Sequence, residues 1–318
     1  MVLGVIFWVF LFVMALAVLV KSSDYFVRSA SRIGLFFGMP AFLIGVTIVA
    51  IGTSFPELIS SIISVIEGAS EIVTGNVVGA NITNIFLILG IGAVIGRKLK
   101  STYGVVHVDL PMLAGAAFLF TFIIWDTKVT LFESLLLIVV IILYLIYAVN
   151  VRKKHPEEGT RLKAPKGVRE EFPKKELFIL IISLVLIFVG AKYTIDSIIN
   201  LSQLLGIGKE IIAASVLSLG TTLPELMVTV SAARKGKSEM AIGNILGSNI
   251  FNMLGVVGVA GLFGTIAVAQ SILMFALPFM VGAILLYVFV ALDNEITKWE
   301  GGLFLILYVF YISRLFFV

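Results

Sequence analysis

Cysteine is absent from all 318 residues, and histidine occurs twice. The first absence excludes disulfides, thiolate metal sites and cysteine nucleophiles. The second leaves little for zinc or copper, which favour imidazole and thiolate. Charge is scarce too: 13% of the chain is Asp, Glu, Lys or Arg, against about 25% in an average soluble protein. So few charges could not cover a water-exposed globule. An ordinary soluble enzyme, a disordered chain and a nucleic-acid binder are therefore excluded, although the sequence pI is about 9.2. No GxSG, HExxH or GxGD constellation is present, which argues against an intramembrane hydrolase and against an enzyme at all. What remains is apolar: 60% of residues are hydrophobic and the mean hydropathy is +1.13. The natural solvent of such a chain is the lipid bilayer.

A span needs about 20 apolar residues. Ten such runs are expected, near 2–20, 40–66, 71–95, 105–125, 130–149, 177–198, 211–233, 240–263, 271–292 and 301–317. They are apolar all round and too long for barrel strands, so the fold is predicted to be an all-α polytopic membrane protein. The run over 2–20 has no basic start, and its first positive charge is Lys21, so it reads as a retained helix rather than a leader. With both termini outside, alternate connections carry Lys21, Arg28 and Arg32; Arg97, Lys98 and Lys100; the basic residues of 151–176; Arg234, Lys235 and Lys237; and Lys298. Only Lys128, Lys192, Lys209 and Arg314 of the 23 basic residues fall elsewhere. The positive-inside rule then makes the protein a multi-pass cell-membrane protein with extracellular termini and a cytoplasmic 151–176 loop. That loop, with Pro156, Pro165 and Pro173 among mixed charges, reads as a solvated linker. It divides a first half, 1–150, from a second, 177–318.

The halves repeat one motif. Residues 52–84 read GTSFPELISSIISVIEGASEIVTGNVVGANITN, and 220–252 read GTTLPELMVTVSAARKGKSEMAIGNILGSNIFN. At a constant offset of 168, Gly52, Thr53, Pro56, Glu57, Leu58, Gly68, Ser70, Glu71, Gly75, Asn76, Gly79, Asn81, Ile82 and Asn84 equal their partners. Apolar drift cannot produce identities that are mostly Gly, Pro, Glu and Asn. Five spans per half is an odd number, so the halves insert in opposite orientations. The connection carrying Glu67 and Glu71 accordingly lacks Lys and Arg, while its counterpart holds Arg234, Lys235 and Lys237. Inverted repeats with helix breakers at matching positions point to a transporter site near the membrane midplane.

Pro56 and Pro224 are expected inside apolar helices, where each removes an N–H and frees carbonyls near Thr53 and Thr221. Glu57 and Glu225 lie four residues after those threonines, over the freed turns. They are the only acids placed deep within spans, where a charge costs about 2.5–3.5 kcal/mol on insertion scales. Asn76, Ala80 and Asn84, and Asn244, Ser248 and Asn252, run along one side of the partner helices. Gly75/Gly79 and Gly243/Gly247 form GxxxG pairs that would let those helices approach the broken ones. Two carboxylates among carbonyl, amide and hydroxyl oxygens suit a hard cation: Ca²⁺ takes about 6–8 oxygens. Two carboxylates neutralise one divalent ion, two monovalent ions or two protons, a natural basis for exchange.

GTSFPE with GNVVGANITN, and GTTLPE with GNILGSNIFN, resemble the two alpha-repeats of the calcium/cation antiporter superfamily, most closely those of prokaryotic sodium/calcium exchangers. The resemblance spans essentially the whole chain, with alpha-repeats near 44–92 and 212–260. It implies two inverted five-helix halves with broken helices at the centre. It implies that Glu57, Glu225, Thr53 and Thr221 hold Ca²⁺, that Ala50, Ser54, Ser218, Thr222 and Ser248 line flanking sodium sites, and that Asn84 and Asn252 occupy the central position. The first helix of each half, near 2–30 and 177–200, would slide to alternate access. Two departures stand out: Ala80 where the archaeal pattern has Ser, removing a hydroxyl of the inner sodium site, and Asn252 where some members have Asp. Proton/calcium exchangers carry a GNxxE-type repeat, absent here, which favours Na⁺ as the driving ion. The expectation is Na⁺/Ca²⁺ antiport by a monomer in the lipid bilayer, with no cofactor beyond the transported ions. A Ca²⁺/H⁺ exchanger and, in a different class, a passive cation channel are the competing readings. Lys192 with Asp196, and Asp24 with Arg28, are expected as helix-end pairs, and Trp8, Trp125 and Trp299 as interface anchors.

Overall fold

A computed structural model describes residues 2–100, 109–154, 173–204 and 221–315. Helices dominate: α1 (Val2–Phe36), α2 (Ala41–Thr53), α3 (Phe55–Ile66), α4 (Glu71–Gly96), α5 (Leu110–Ile124), α6 (Leu131–Lys154), α7 (Lys174–Leu204), α8 (Leu223–Arg234), α9 (Ser238–Ala260), α10 (Ile272–Asp293) and α11 (Lys298–Leu315). Six helices among the described residues are long and apolar enough to cross a membrane, and the α2–α3 pair, bent by 42°, makes a seventh span. The run near 211–233 enters the described residues only at 221, and His107 and most of the 151–176 linker lie outside them.

α1 is much longer than the 2–20 run. Nothing breaks it before Gly38 and Pro40, so Lys21, Arg28 and Arg32 sit on the helix rather than in a connection. It packs lengthwise on α7, where Gly190 admits the α1 backbone: a Cβ there would lie 3.1 Å from the Ala15 carbonyl. Both helices turn apolar side chains outward, among them Phe7, Phe10 and Val13 on α1 and Phe178, Ile181 and Val185 on α7. Such faces suit acyl chains.

Polar contacts join α1 to its neighbours. Asp24 accepts a hydrogen bond from Ser231 at 2.5 Å and an ion pair from Lys235 at 2.8 Å, so it is tied across elements rather than to Arg28. Glu176 accepts from Ser29 at 2.8 Å and pairs with Arg32. Lys237, in the α8–α9 turn, donates to Ser31. Burial holds that ammonium below the ordinary lysine range, and Lys235 and Arg28 push it the same way. Lys192 lies 6.0 Å over the Tyr193 ring instead of pairing with Asp196.

The two halves interlock. Two short antiparallel pairs join β1 (Lys98–Lys100) to β4 (Glu295–Thr297) and β2 (Lys128–Val129) to β3 (Ile266–Ala267). Each pair takes one strand from either side of the central linker. α4 meets α11 at Gly90 and Gly301, where a Cβ on Gly301 would stand 2.8 Å from the Gly90 carbonyl. Gly258, the repeat mate of Gly90, brings α9 onto α6, with the Ser134 carbonyl 3.1 Å from its would-be Cβ. The last helix of each half thus packs on the other half. α6 and α11 also start alike, with capping boxes: the Thr130 N–H and hydroxyl donate to Glu133, and those of Thr297 to Glu300.

The turns that follow the broken helices explain one sequence identity. Gly68 and Gly236 close α3 and α8 with φ of +78° and +69°. The following N–H reaches back to Ser64 O in the first repeat and to Ala232 O in the second. Only glycine adopts this left-handed cap without strain.

Candidate cation site

The site sits at the α2–α3 break of the first repeat and at the start of α8 in the second. Ser54 leaves the helical track with ψ of 9°, between α2 and α3, and Pro56 and Pro224 stand in the first turns of α3 and α8. The prolines therefore begin helices rather than interrupt them. A first-turn residue needs no intrahelical N–H, so proline costs nothing there and the break falls just before it. α3 turns Phe55, Ile59, Ile63 and Ile66 outward and buries Glu57, Ser61 and Val65, spaced by four along its inner side.

Glu57 is 0% exposed and Glu225 1%. Neither Glu57 oxygen has a hydrogen-bond partner among the described residues. Glu225 Oε1 accepts from Ser54 at 3.2 Å, and its Oε2 has none. Among the described residues no three acidic or histidine side chains converge, so the other oxygens here are neutral ones.

Those oxygens come from both repeats in matched fashion. The Thr53 hydroxyl donates to Val49 O at 3.1 Å and lies 3.3 Å from Asn244 Oδ1; the Thr221 hydroxyl lies 3.5 Å from Asn76 Oδ1. Asn244 Nδ2 donates to Thr229 at 2.9 Å. The Ala50 carbonyl accepts the Ser54 N–H at 3.0 Å, so its backbone is already engaged within its own turn. Ser248 Oγ, at the position of Ala80 in the other repeat, is buried and unpartnered. Asn84 and Asn252 sit in π-helical turns, Thr83–Leu89 and Phe251–Val256, a departure from α-geometry frequent at functional sites.

The structure thus places Glu57, Thr53 and Ser54 at the α2–α3 break, Glu225, Thr221 and Thr222 at the start of α8, and Asn84, Ser248 and Asn252 on α4 and α9, while Ser218 lies outside the described residues. Sequence reasoning left out Asn81, Asn249 and Ser61. The first two bond to the central asparagines; Ser61 Oγ is buried and unpartnered one turn beyond Glu57. Their signal was available: Asn81 is an identity between repeats and lies three residues before Asn84.

The repeats differ in exposure. Gly243, Asn244 and Gly247 are buried, and the α9 backbone lies hard against α2; a Cβ on Gly243 would stand 2.5 Å from Phe42 O. Their mates Gly75, Asn76 and Gly79 are half-exposed.

A bundle of apolar helices closed around two buried carboxylates and a shell of neutral oxygens is a multi-pass membrane protein built to take cations from water. The family profile described as "Sodium/calcium exchanger protein" matches residues 7–150 and 175–317. The sodium/calcium exchanger MaX1 of Methanosarcina acetivorans is 34% identical over 341 residues, covering 96% of this chain and 97% of the relative. The uncharacterized membrane protein MJ0091 of Methanocaldococcus jannaschii is 33% identical over 305 residues and 96% of each chain. A solved structure of the sodium-calcium exchanger NCX_Mj, soaked with Na⁺ and no Ca²⁺, superposes with a TM-score of 0.82 at 30% identity, over 97% of this chain and 99% of that one. The chain belongs to the sodium/calcium exchanger family.

Proposed function

We propose that the protein exchanges Na⁺ for Ca²⁺ across the cell membrane by alternating access. One observation carries this reading: two repeat-related glutamates, fully buried, with three of their four oxygens unpartnered among the described residues, each in the first turn of a helix directly after a proline. A buried carboxylate without a partner is strongly disfavoured, and a cation is the partner that removes the cost. Glu57, Glu225, Thr53 and Thr221 hold Ca²⁺. Ser54, Thr222, Ser248, Ala50 and Ser218 serve flanking Na⁺, with Asn84 and Asn252 at the centre. One Ca²⁺ or two Na⁺ balance the same two charges, so the ions compete for one neutral state of the site.

Ten spans in two inverted five-helix halves, 1–150 and 177–318, accommodate the helices, with α2–α3 and the 211–233 run as the broken spans. The matched strand pairs and matched helix crossings support this two-fold plan. The basic α8–α9 turn is cytoplasmic and the acidic α3–α4 turn extracellular, with both termini outside. The half-exposed Gly75, Asn76, Gly79 and Thr221 then lie toward the outside and their buried mates Gly243, Asn244, Gly247 and Thr53 toward the cytoplasm. This is an outward-open state, and exchanging the two arrangements gives the inward-open one.

The test uses vesicles loaded with Na⁺ and diluted into Na⁺-free buffer, with uptake of radiolabelled Ca²⁺ followed in time. Uptake should vanish when the Na⁺ gradient is dissipated. Uptake driven by a pH gradient instead would make the protein a Ca²⁺/H⁺ exchanger, and rapid flux without any counter-ion gradient would make it a channel.

A further inference from the structure

An amide can serve a cation only with its oxygen; turned by half a revolution it presents two N–H groups and repels the ion. Whatever fixes the rotation of Asn84 and Asn252 therefore decides whether the central position binds at all. Four asparagines meet there, each at most 1% exposed. Asn84 Nδ2 donates to Asn249 Oδ1 at 3.3 Å, and Asn252 Nδ2 donates to Asn81 Oδ1 at 3.3 Å. The two bonds are repeat mates, and both cross between the halves. Asn84 Oδ1 and Asn252 Oδ1 are buried with no hydrogen-bond partner among the described residues. Asn81 is itself held, since its Nδ2 lies 3.4 Å from Asn249 O and 3.6 Å from Met280 Sδ on α10.

We infer that Asn81 and Asn249 are positioning residues: each accepts the amide hydrogens of the central asparagine of the opposite half, which leaves the oxygens of Asn84 and Asn252 as the atoms facing the transported cations. The inference rests on the exchanger reading above. It also gives the amide at 252 a specific requirement. A carboxylate presents an oxygen whichever way it turns and needs no acceptor beside it. An asparagine does.

That difference supplies the experiment, a double-mutant cycle in the full-length protein. Asn81→Leu is compared with the parent, and the same change is compared within an Asn252→Asp background. Two readouts are taken: the Ca²⁺ concentration that half-saturates Na⁺-driven uptake in liposomes, and the rise in melting temperature of the purified protein on adding Ca²⁺, which needs no turnover. In the parent background Asn81→Leu should raise the half-saturating Ca²⁺ about tenfold or more, the scale of one lost oriented oxygen ligand. In the Asn252→Asp background the shift should fall below about threefold. Asn81→Asp, which keeps the acceptor, should stay close to the parent. Equal losses in both backgrounds, or an Asn81→Asp variant as poor as Asn81→Leu, would mean that Asn81 only packs, and the inference would be overturned. If Asn81→Leu does not fold, Asn81→Asp decides alone, and Asn249→Leu with Asn84→Asp repeats the cycle in the mirror position. A parent protein that shows neither Na⁺-driven uptake nor a Ca²⁺ shift would overturn the exchanger reading instead.

Discussion

Replacing Gly247 by alanine tests how the site is closed on one side. The added Cβ would stand 2.6 Å from Val46 O and 2.7 Å from Ala50 Cβ, whereas ordinary contact begins at 3.4 Å. α9 and α2 would have to part by about 0.8 Å. Thr53 lies on α2 and Asn244 on α9, 3.3 Å apart, so that displacement takes them beyond hydrogen-bonding range. Overpacking of this kind costs about 1–3 kcal/mol, or about 5- to 150-fold in the balance between two states. Gly79 is the repeat mate, and its would-be Cβ meets nothing within 4 Å among the described residues. If the repeats exchange conformations during transport, Gly79→Ala penalises the opposite state and leaves this one untouched. Both substitutions then slow Na⁺-driven Ca²⁺ uptake, but they bias the protein in opposite directions. Hydrogen-exchange mass spectrometry reads the bias: Gly247→Ala should speed exchange over 238–250, and Gly79→Ala should slow it there. Wild-type uptake and exchange in Gly247→Ala would refute the argument that the close crossing matters. A shift in the same direction for both variants would refute the exchange of conformations between repeats.

Glu57→Gln and Glu225→Gln should each abolish transport while the protein stays folded in the membrane. In buffer without Na⁺ or Ca²⁺ they should melt no lower than the parent, because a buried unpaired carboxylate has been replaced by a neutral group, and they should gain nothing when Ca²⁺ is added. A Ca²⁺-induced melting shift of normal size in either would contradict the placement of Ca²⁺ on both carboxylates. Asp24→Asn removes a half-exposed tie between α1 and the end of α8, and half-exposed ion pairs are worth about 0–1 kcal/mol. Its thermal stability should change little, while hydrogen exchange over 231–237 rises; an unchanged exchange rate would show that the tie holds nothing in place. Gly236→Ala should lower the melting temperature, because alanine is strained at its φ of +69°.

Much of the fold was legible because the membrane simplifies the code. Apolar run length announces helices, and the residues that break the rule, Pro56, Glu57, Asn76 and Asn84 with their mates, announce the centre. The errors have physical causes. α1 runs past Val20 because hydropathy marks where lipid ends and says nothing about where a helix ends; only Gly38 and Pro40 stop it. Pro56 reads as the interior of a helix because a run of apolar residues hides the break that Ser54 makes with its backbone. Spacing of four pairs Asp24 with Arg28, but Ser231 and Lys235, distant in sequence, hold it in the fold. The difference in burial between Gly79 and Gly247 could not be read at all. Their local sequences are nearly the same, and only the packing of α9 on α2 sets them apart. Asn81 and Asn249 were visible as repeated residues, yet the direction in which an amide donates appears only once the partner helix is beside it.

The exchange of final helices between halves bears on biogenesis. During synthesis the first half emerges with α6 lacking the α9 surface that it packs on and with β1 and β2 unpaired. These partners arrive only when α9, α11 and their strands have been made. Cutting the gene between codons 154 and 173 should therefore yield two fragments that are degraded when made singly and that assemble when made together. The linker can be long and charged because the joint between the halves is made elsewhere, by helices and strands packed against the opposite half.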